Sequence, residues 1–438
     1  MTAPAAIEAM SPAERRTIAQ EAFAVQWRHL WADSPFYRAK LAGAGFSEDS
    51  PAPPLERLHE LPFTVKSEIR DSLVEHPPLG AHLAVDPARL RQIHTSAGTT
   101  GHPSLVGLTR RDSDDWVEIL RRGYVAVGHR PGDTVLHALS MSQAWVGGLP
   151  MVEAIDAAGA TILPIGAEAG TERILRMMRI LRPTVLQCTP GFALHLAERA
   201  TAEDLDATAL GVRHLLVGGE PGGGVPETRA RISRAWGAPV REVMGGTDIA
   251  CLLWAECERE DGMHFMAPEH VHFELVDPDS GEPVAVEDGA EGELVYSHLR
   301  REASPVLRFR HRDLVRVLGT ARCACGRTTP RIRCFSRTDD MLIVKGVNLF
   351  PTSIQSALGE LEGIGPDFRI VRAAGEYSLP GPVTVRVEAD DDPPLSADAL
   401  ADRLRERLAC RFEVTYVPRG TLVVPGSHKS RFFEELPR

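Results

Sequence analysis

Two groups of residues in this chain have types and spacings that can do chemistry. The first is the stretch His94-Thr-Ser-Ala-Gly-Thr-Thr-Gly-His-Pro103, followed directly by the strand-like run Ser104-Leu-Val-Gly-Leu-Thr109. Glycines and hydroxyls packed this densely beside a strand describe a loop that brings backbone N–H groups and Oγ atoms close to an anion. Phosphate is the usual one, because oriented amides and hydroxyls can wrap its oxygens without a bulky side chain intervening. The spacing is not that of a Walker A loop, and the same composition also builds ordinary surface turns.

The second group is Cys257-x6-His264 followed by Cys323-x-Cys325. Thiolates and imidazole are the ligands zinc selects, and three Cys with one His would close a tetrahedral structural site with no open position for catalysis. The bland alternative is free buried cysteines and an unrelated histidine. Cys188, Cys251 and Cys334 read as core residues. Other arrangements are missing: there is no G-x-S-x-G elbow and no H-E-x-x-H. Gly218-Gly-Glu-Pro-Gly-Gly-Gly224 lacks the placement of a dinucleotide fingerprint.

The elements that must position these groups follow from pattern. With 438 residues and 43% hydrophobic content, the chain can bury a large core in two or more domains. Ser11-Pro12-Ala-Glu14 reads as N-cap, Pro at N1 and capping-box Glu of a helix running towards Ala44, broken at Asp33–Tyr37. Leu61–Arg70 reads as a turn entering a helix, part of the scaffold. From Arg111 to Val217 helical and strand-like segments alternate, which predicts a parallel sheet covered on both faces. Ligands in such sheets sit at the carboxyl ends of strands, where the polar loops Ser140–Leu149 and Gly218–Pro221 fall. Residues 263–317 change to alternating strands with turns, a curled antiparallel sheet or barrel, and residues 339–438 read as a compact α+β unit. The fold class is therefore α/β: a large N-terminal domain, 1–338, with a β-rich part at 263–317, and a small C-terminal α+β domain.

Net charge of −11 and a pI near 5.8 argue against general nucleic-acid binding and against an anionic membrane surface. No apolar run approaches the roughly 18 residues needed to span a bilayer. No signal peptide is evident at the N-terminus, and seven scattered cysteines suit a reducing compartment. The expectation is a cytoplasmic enzyme.

Ser96-Ala-Gly-Thr-Thr-Gly101 resembles the phosphate loop of the adenylate-forming superfamily of acyl-CoA synthetases, adenylation domains and luciferases. The resemblance extends along nearly the whole chain and is strongest to the phenylacetate–CoA ligase branch. It is carried by Arg182–Pro190, Gly218–Pro221, Glu256–His264 and Cys323–Arg331. The most specific segment is Ser336-Arg-Thr-Asp-Asp-Met-Leu-Ile-Val-Lys-Gly-Val-Asn-Leu-Phe-Pro351.

The resemblance implies roles by position. Ser96, Gly98, Thr99, Thr100 and Gly101 would hold ATP phosphates, and Gly219, Glu220, Pro221, Met244, Gly245, Asp313 and Arg337 would complete the ATP/AMP site. Met244-Gly-Gly-Thr-Asp248 stands where the family has Tyr-Gly-x-(Ser/Thr)-Glu. Thr247 would then touch the α-phosphate and Asp248 would hold Mg²⁺, a hard cation suited to carboxylate and phosphate oxygens. Leu307–Asp313 resembles the Tyr-Arg-Thr-Gly-Asp motif, so Asp313 would accept hydrogen bonds from both ribose hydroxyls. Asp339 would be the hinge, and Lys429 the C-terminal catalytic lysine bridging the acid and the α-phosphate. The acid pocket would be lined by Ser140, Gln143, Trp145, Gly147, Gly148 and Gly218. Three positions depart from the pattern: Met244 lacks the stacking ring, Asp248 is shorter than Glu, and His102 replaces the loop lysine that grips the outer phosphates.

The implied function is ATP-dependent, AMP-forming activation of an aryl or arylacetic acid and transfer to coenzyme A. The cofactors are ATP, Mg²⁺ and structural Zn²⁺. Three alternatives stand beside it. The adenylate could pass to a carrier-protein thiol or an amine, the same chemistry could activate nitrite to diazotise an aryl amine, or the chain could be a silent scaffold keeping the fold. Homodimerisation is left open.

Overall fold

The computed structural model describes residues 4–95, 104–142, 144–338, 340–345, 347–373, 376–422 and 431–436. The chain divides into two compact units, each discontinuous in sequence. The first comprises Met1–Val135, Ser140–Pro164 and Val243–Arg333, and the second Leu136–Leu139, Ile165–Glu242 and Cys334–Arg438.

The first unit opens with the helix Pro12–Asp33. Ser11 caps it by accepting from the Glu14 N–H, while Glu14 accepts from Ser11 N at 2.8 Å. Ser34 then caps the short helix Pro35–Gly43. Phe23, Trp27, Leu30, Tyr37, Leu41 and Leu58 are buried together, and each such side chain contributes roughly 1.5–3 kcal/mol. The helix Lys66–Glu75 follows, with the Glu68 carboxylate accepting from Val65 N at 2.8 Å. Strands Leu90–Thr95 and Leu105–Thr109 form an antiparallel pair in which Thr95 faces Leu105, so the phosphate-loop stretch joins two paired strands. Residues 96–103 lie outside the described residues.

The antiparallel strands expected after residue 263 are present. Val271–Val276 pairs with Glu291–His298, and that strand pairs with Phe309–Gly319. One irregularity matters for the site. Between the pairs Val295↔Arg310 and Glu293↔Leu314 the second strand carries a bulge at residues 311–313, and Arg312 has φ +75°. A non-glycine residue there costs about 1–3 kcal/mol and persists only where its surroundings hold it.

The second unit carries the parallel strands Val185–Cys188, His214–Val217 and the start of Val240–Gly246, in register Val185↔His214 and Leu215↔Val240. The first two are buried at every position, as strands of a sheet covered on both faces must be. Its C-terminal part is a four-stranded sheet in the order Phe412–Pro418, Val383–Ala389, Ile364–Ala373, Phe433–Leu436, with helices Pro351–Gly359 and Ala397–Leu408. Ile354, Phe368, Ile370, Val385, Leu400 and Leu404 form its core. The mixed α/β class is as expected. Helix Pro226–Trp236 and the strands Leu90–Thr95 and Phe433–Leu436 are additions the patterning did not resolve.

Candidate active site and metal centre

In the first unit, the end of strand Val240–Gly246 pairs antiparallel with Ala250–Glu256, Met244 facing Trp254 and Gly246 facing Ala250. Thr247 and Asp248 therefore sit in the tight turn between them, which closes with Ile249 N donating to Gly246 O at 3.2 Å. A side chain at Gly245 would run into the Ala250 carbonyl, so the turn requires glycine there. Asp248 is buried, and the cation beside its Oδ2 is the Lys66 ammonium, 3.7 Å away and 40% exposed. Lys66 is the first residue of its helix, where the macrodipole disfavours a positive charge. The Asp248 carboxylate offsets that penalty. Burial drives the nearby His82 imidazole down to about 4 despite the opposing field of Asp248, so at neutral pH it adds no charge.

The segment that leads to Lys66 is stitched to the strand that carries Asp313. Thr64 N donates to Arg308 O, Arg310 N donates to Thr64 O, both at 2.9 Å, and Thr64 Oγ1 donates to Leu307 O at 2.7 Å. Asp313 is itself buried and takes a 2.6 Å hydrogen bond from His311 Nδ1 across the bulge. Buried Glu293 receives both Nε and Nη2 of Arg310, at 2.9 and 2.6 Å, and lies 3.6 Å from Arg312.

The acid-pocket segment is a compact turn of its own. Ser142 N donates to Ser140 Oγ at 3.3 Å, Trp145 N to Ser142 O at 3.1 Å and Gly148 N to Trp145 O at 3.0 Å. Gly148 then starts the helix Leu149–Ala157. Any side chain at Gly147 would strike the Trp145 ring. Thr95 N donates to Ala144 O at 2.9 Å, so this segment is tied to the residue that precedes the phosphate-loop stretch. Gln143 lies outside the described residues.

In the second unit, Gly218–Pro221 leaves the end of strand His214–Val217, and Gly218 N donates to Cys188 O at 3.3 Å. Gly219 has φ +85°, and Glu220 Oε1 accepts from Gly191 N at 2.8 Å, fixing the carboxylate against the helix Pro190–Ala202. Arg337 ends the strand Arg331–Arg337. Ser96, Gly98, Thr99, Thr100, Gly101, His102, Asp339 and Lys429 lie outside the described residues.

The four candidate zinc ligands come together from two segments. The Sγ atoms of Cys257, Cys323 and Cys325 and a ring nitrogen of His264 all lie within 4.8 Å of one another, and all four residues are buried. Tetrahedral zinc with Zn–S bonds of 2.3 Å places its sulfurs ~3.8 Å apart. Cys257 and Cys323 Sγ are 4.0 Å apart, and His264 Nε2 is 3.5 Å from Cys325 Sγ. The surroundings orient the donors. His264 Nδ1 pairs with Thr329 O at 3.2 Å, which directs Nε2 at the cluster, and Arg327 Nη1 donates to Cys325 Sγ at 3.7 Å. The hydrogen bond from the Cys257 thiol holds Cys325 well below the ordinary thiol range, with a further contribution from His264, while the same pairing and burial push Cys257 up. Arg327 is held in turn by Glu8, its Nε 2.7 Å from Oε1, and both side chains are 1% exposed. The donor set fits a structural zinc ion. None of the seven cysteines is in a disulfide; Cys188 and Cys251 are buried as expected, but Cys334 is partly exposed rather than core.

Two residues beside Asp248 and Asp313 are given no role by the motifs. Lys66 stands in a stretch read as scaffold, and His311 occupies the threonine position of the ribose motif. The signal for Lys66 is composition: only four of the 49 Lys plus Arg residues are lysine.

The chain matches the AMP-binding enzyme family over residues 39–299 and the AMP-binding enzyme C-terminal domain over residues 346–435. It belongs to this adenylate-forming family, an AMP-forming class of acid–thiol ligases. Within it, the chain falls in the phenylacetate–CoA ligase-like branch. It is 32% identical to a phenylacetate–coenzyme A ligase of Thermus thermophilus over 435 residues, covering 96% of this chain and 95% of that protein. Identity to the Escherichia coli phenylacetate–coenzyme A ligase is 33% over 374 residues, 83% of this chain and 80% of the relative. Among solved structures, 2-hydroxyisobutyryl-CoA ligase in its postadenylation state superposes with a TM-score of 0.87 at 28% identity, covering 98% of this chain and 91% of that one. No helix among the described residues is long and apolar enough to cross a membrane.

Proposed function

We propose that this protein activates a carboxylic acid with ATP and passes the acyl group to coenzyme A. In the first step a carboxylate oxygen attacks the α-phosphorus, the bond to the β-phosphate oxygen breaks, and pyrophosphate leaves. In the second the thiolate of coenzyme A attacks the acyl carbon and the C–O bond to AMP breaks. The observation that carries the reading is the buried Asp248 carboxylate directly after Thr247, with the Lys66 ammonium 3.7 Å away.

Asp248 would hold Mg²⁺, which supplies charge neutralisation at the phosphates, and Thr247 would meet the α-phosphate. Lys66 would balance the charge that grows on departing pyrophosphate, a task for which the shorter side chain of His102 is poorly suited. Asp313 would anchor the ribose, and Lys429 would neutralise the pentavalent α-phosphate. The C-terminal residues 339–438 would turn about Asp339 between the two steps, as domain closures that assemble sites in succession do. The separate family match over residues 346–435 supports treating them as a domain.

The acid we propose is aryl or arylacetic, in line with the phenylacetate–CoA ligases among the relatives. Ser140 and Ser142 in the pocket segment favour a ring bearing a polar substituent. The test is acid-dependent pyrophosphate release from ATP over benzoic, arylacetic, cinnamic and short hydroxy acids, with and without coenzyme A and nitrite. An aryl acid with coenzyme A should give AMP and thioester. Release that ignores coenzyme A would point to a carrier-protein thiol, and dependence on nitrite to diazotisation. No release with any acid would leave the scaffold reading.

A further inference from the structure

The bulge at residues 311–313 places an imidazole between two parts of the site that the motifs treat separately. His311 Nδ1 lies 2.6 Å from Asp313 Oδ2, and both side chains are largely buried, 11% and 6% exposed. The opposite edge of the ring faces the Gly246 backbone: a Cβ built there would fall inside the radius of Nε2. Tyr296 meets the ring edge-on at 5.5 Å and 79°, and its hydroxyl accepts from Trp254 Nε1 at 2.8 Å. The imidazole is thus confined on three sides, by Asp313, by Tyr296 and by the residue that leads into Thr247 and Asp248.

In a regular strand, residues 311 and 313 would share one face with their side chains side by side. Here Arg312 adopts φ +75° between them and the ladder is interrupted, which re-aims both side chains. A carboxylate that must meet two ribose hydroxyls has to present one oxygen outward in a fixed rotamer. A hydrogen bond to the other oxygen achieves this, and an imidazole with its proton on Nδ1 supplies it.

We infer that His311 is a nucleotide-positioning residue that fixes the Asp313 carboxylate for ribose recognition and couples it to the Gly246–Asp248 turn. The inference rests on the proposed ribose role of Asp313. His311 touches neither the reacting phosphorus nor the acid, so it acts through Asp313. Loss of the imidazole should therefore weaken nucleotide binding and blur ribose discrimination while turnover at saturating ATP stays close to normal.

The experiment compares wild type, His311→Leu, His311→Asn and Asp313→Ala in calorimetric binding of ATP, 2′-deoxy-ATP and 3′-deoxy-ATP, with KM and kcat from pyrophosphate release. Expected for His311→Leu is a loss of about 10-fold or more in ATP affinity, the size of one hydrogen bond to a charged group. Its preference for ATP over the deoxy nucleotides should collapse towards that of Asp313→Ala. Asparagine can donate from the Nδ1 position, so His311→Asn should recover most of the discrimination, which mere packing would not do. A second cycle uses Gly246→Ala, whose methyl would push the ring off Asp313. Its cost should be large beside histidine and small in the His311→Leu background. Wild-type discrimination in His311→Leu, alongside lost discrimination in Asp313→Ala, would overturn the inference alone. Unchanged discrimination in Asp313→Ala would overturn both the inference and the ribose reading, and absence of ATP binding by the folded wild type would refute the AMP-forming reading itself.

Discussion

Lys66 Nζ stands 3.7 Å from Asp248 Oδ2, joining the first residue of one helix to a carboxylate in a β-turn that the sequence places far along the chain. The pair couples a buried acid to a half-exposed base. That arrangement sets a positive charge beside the carboxylate without closing it off from a cation or a phosphate.

Replacing Lys66 by Gln should therefore reduce adenylation more than it reduces stability. Removing a cation from a site where phosphate charge develops typically costs on the order of 10²–10³ in turnover. Pyrophosphate–ATP exchange is the readout. An exchange rate within about twofold of wild type, with unchanged KM for ATP, would remove Lys66 from the site.

Lys429→Ala should abolish adenylate formation by a comparable or larger factor while leaving the second half-reaction from preformed acyl-AMP much less affected. Separate assays of the two half-reactions decide this. Equal loss in both would assign the lysine to a structural task instead.

Protein purified without added zinc should carry about one equivalent of the metal by elemental analysis, since a closed Cys₃His site binds tightly. Cys323→Ser should lower the metal content and the Tm together. A metal-free protein with the wild-type Tm would show that the thiols are simply buried.

Acid stability gives a further check. Burial drives both His82 and His272 down to about 4 from an ordinary 6.5. The unfolded chain therefore binds more protons than the folded one between those values, so stability declines as the pH falls from about 6.5 to about 4. At 1.36 kcal/mol per unit, each imidazole accounts for up to about 3 kcal/mol across that window. His82→Gln should flatten the dependence there, measured as Tm against pH. A mutant whose acid slope matches wild type would show that His82 titrates normally.

Much of the fold was legible because its signals are local. Ser11 and Glu14 sit at capping-box spacing, and Val185–Cys188 and His214–Val217 are largely apolar runs of strand length between helical patterns. The Cys/His cluster was legible for another reason: residue types as selective as Cys and His identify themselves even when their spacing is loose. Lys66 and His311 were missed because their meaning lies in a partner. A lysine at a helix start is ordinary until Asp248 stands beside it, and a histidine in Arg310–Arg312 is one more basic residue until the backbone turns at Arg312. The helix Pro226–Trp236 is hidden in the sequence by the glycine-rich run before it, whose composition is that of a loop. Cys334 shows the opposite error, a cysteine assigned to the core on residue type alone.

The Glu8–Arg327 pair also bears on how the chain is made. Glu8 gains this buried partner only when residue 327 has left the ribosome, and the thiol of Cys325 arrives just before it. At about 5–20 residues per second, Glu8 waits on the order of tens of seconds for Arg327. The Glu8–Arg327 pair thus closes only after most of its unit has been made, and the cluster of Cys257, His264, Cys323 and Cys325 is completed at the same stage.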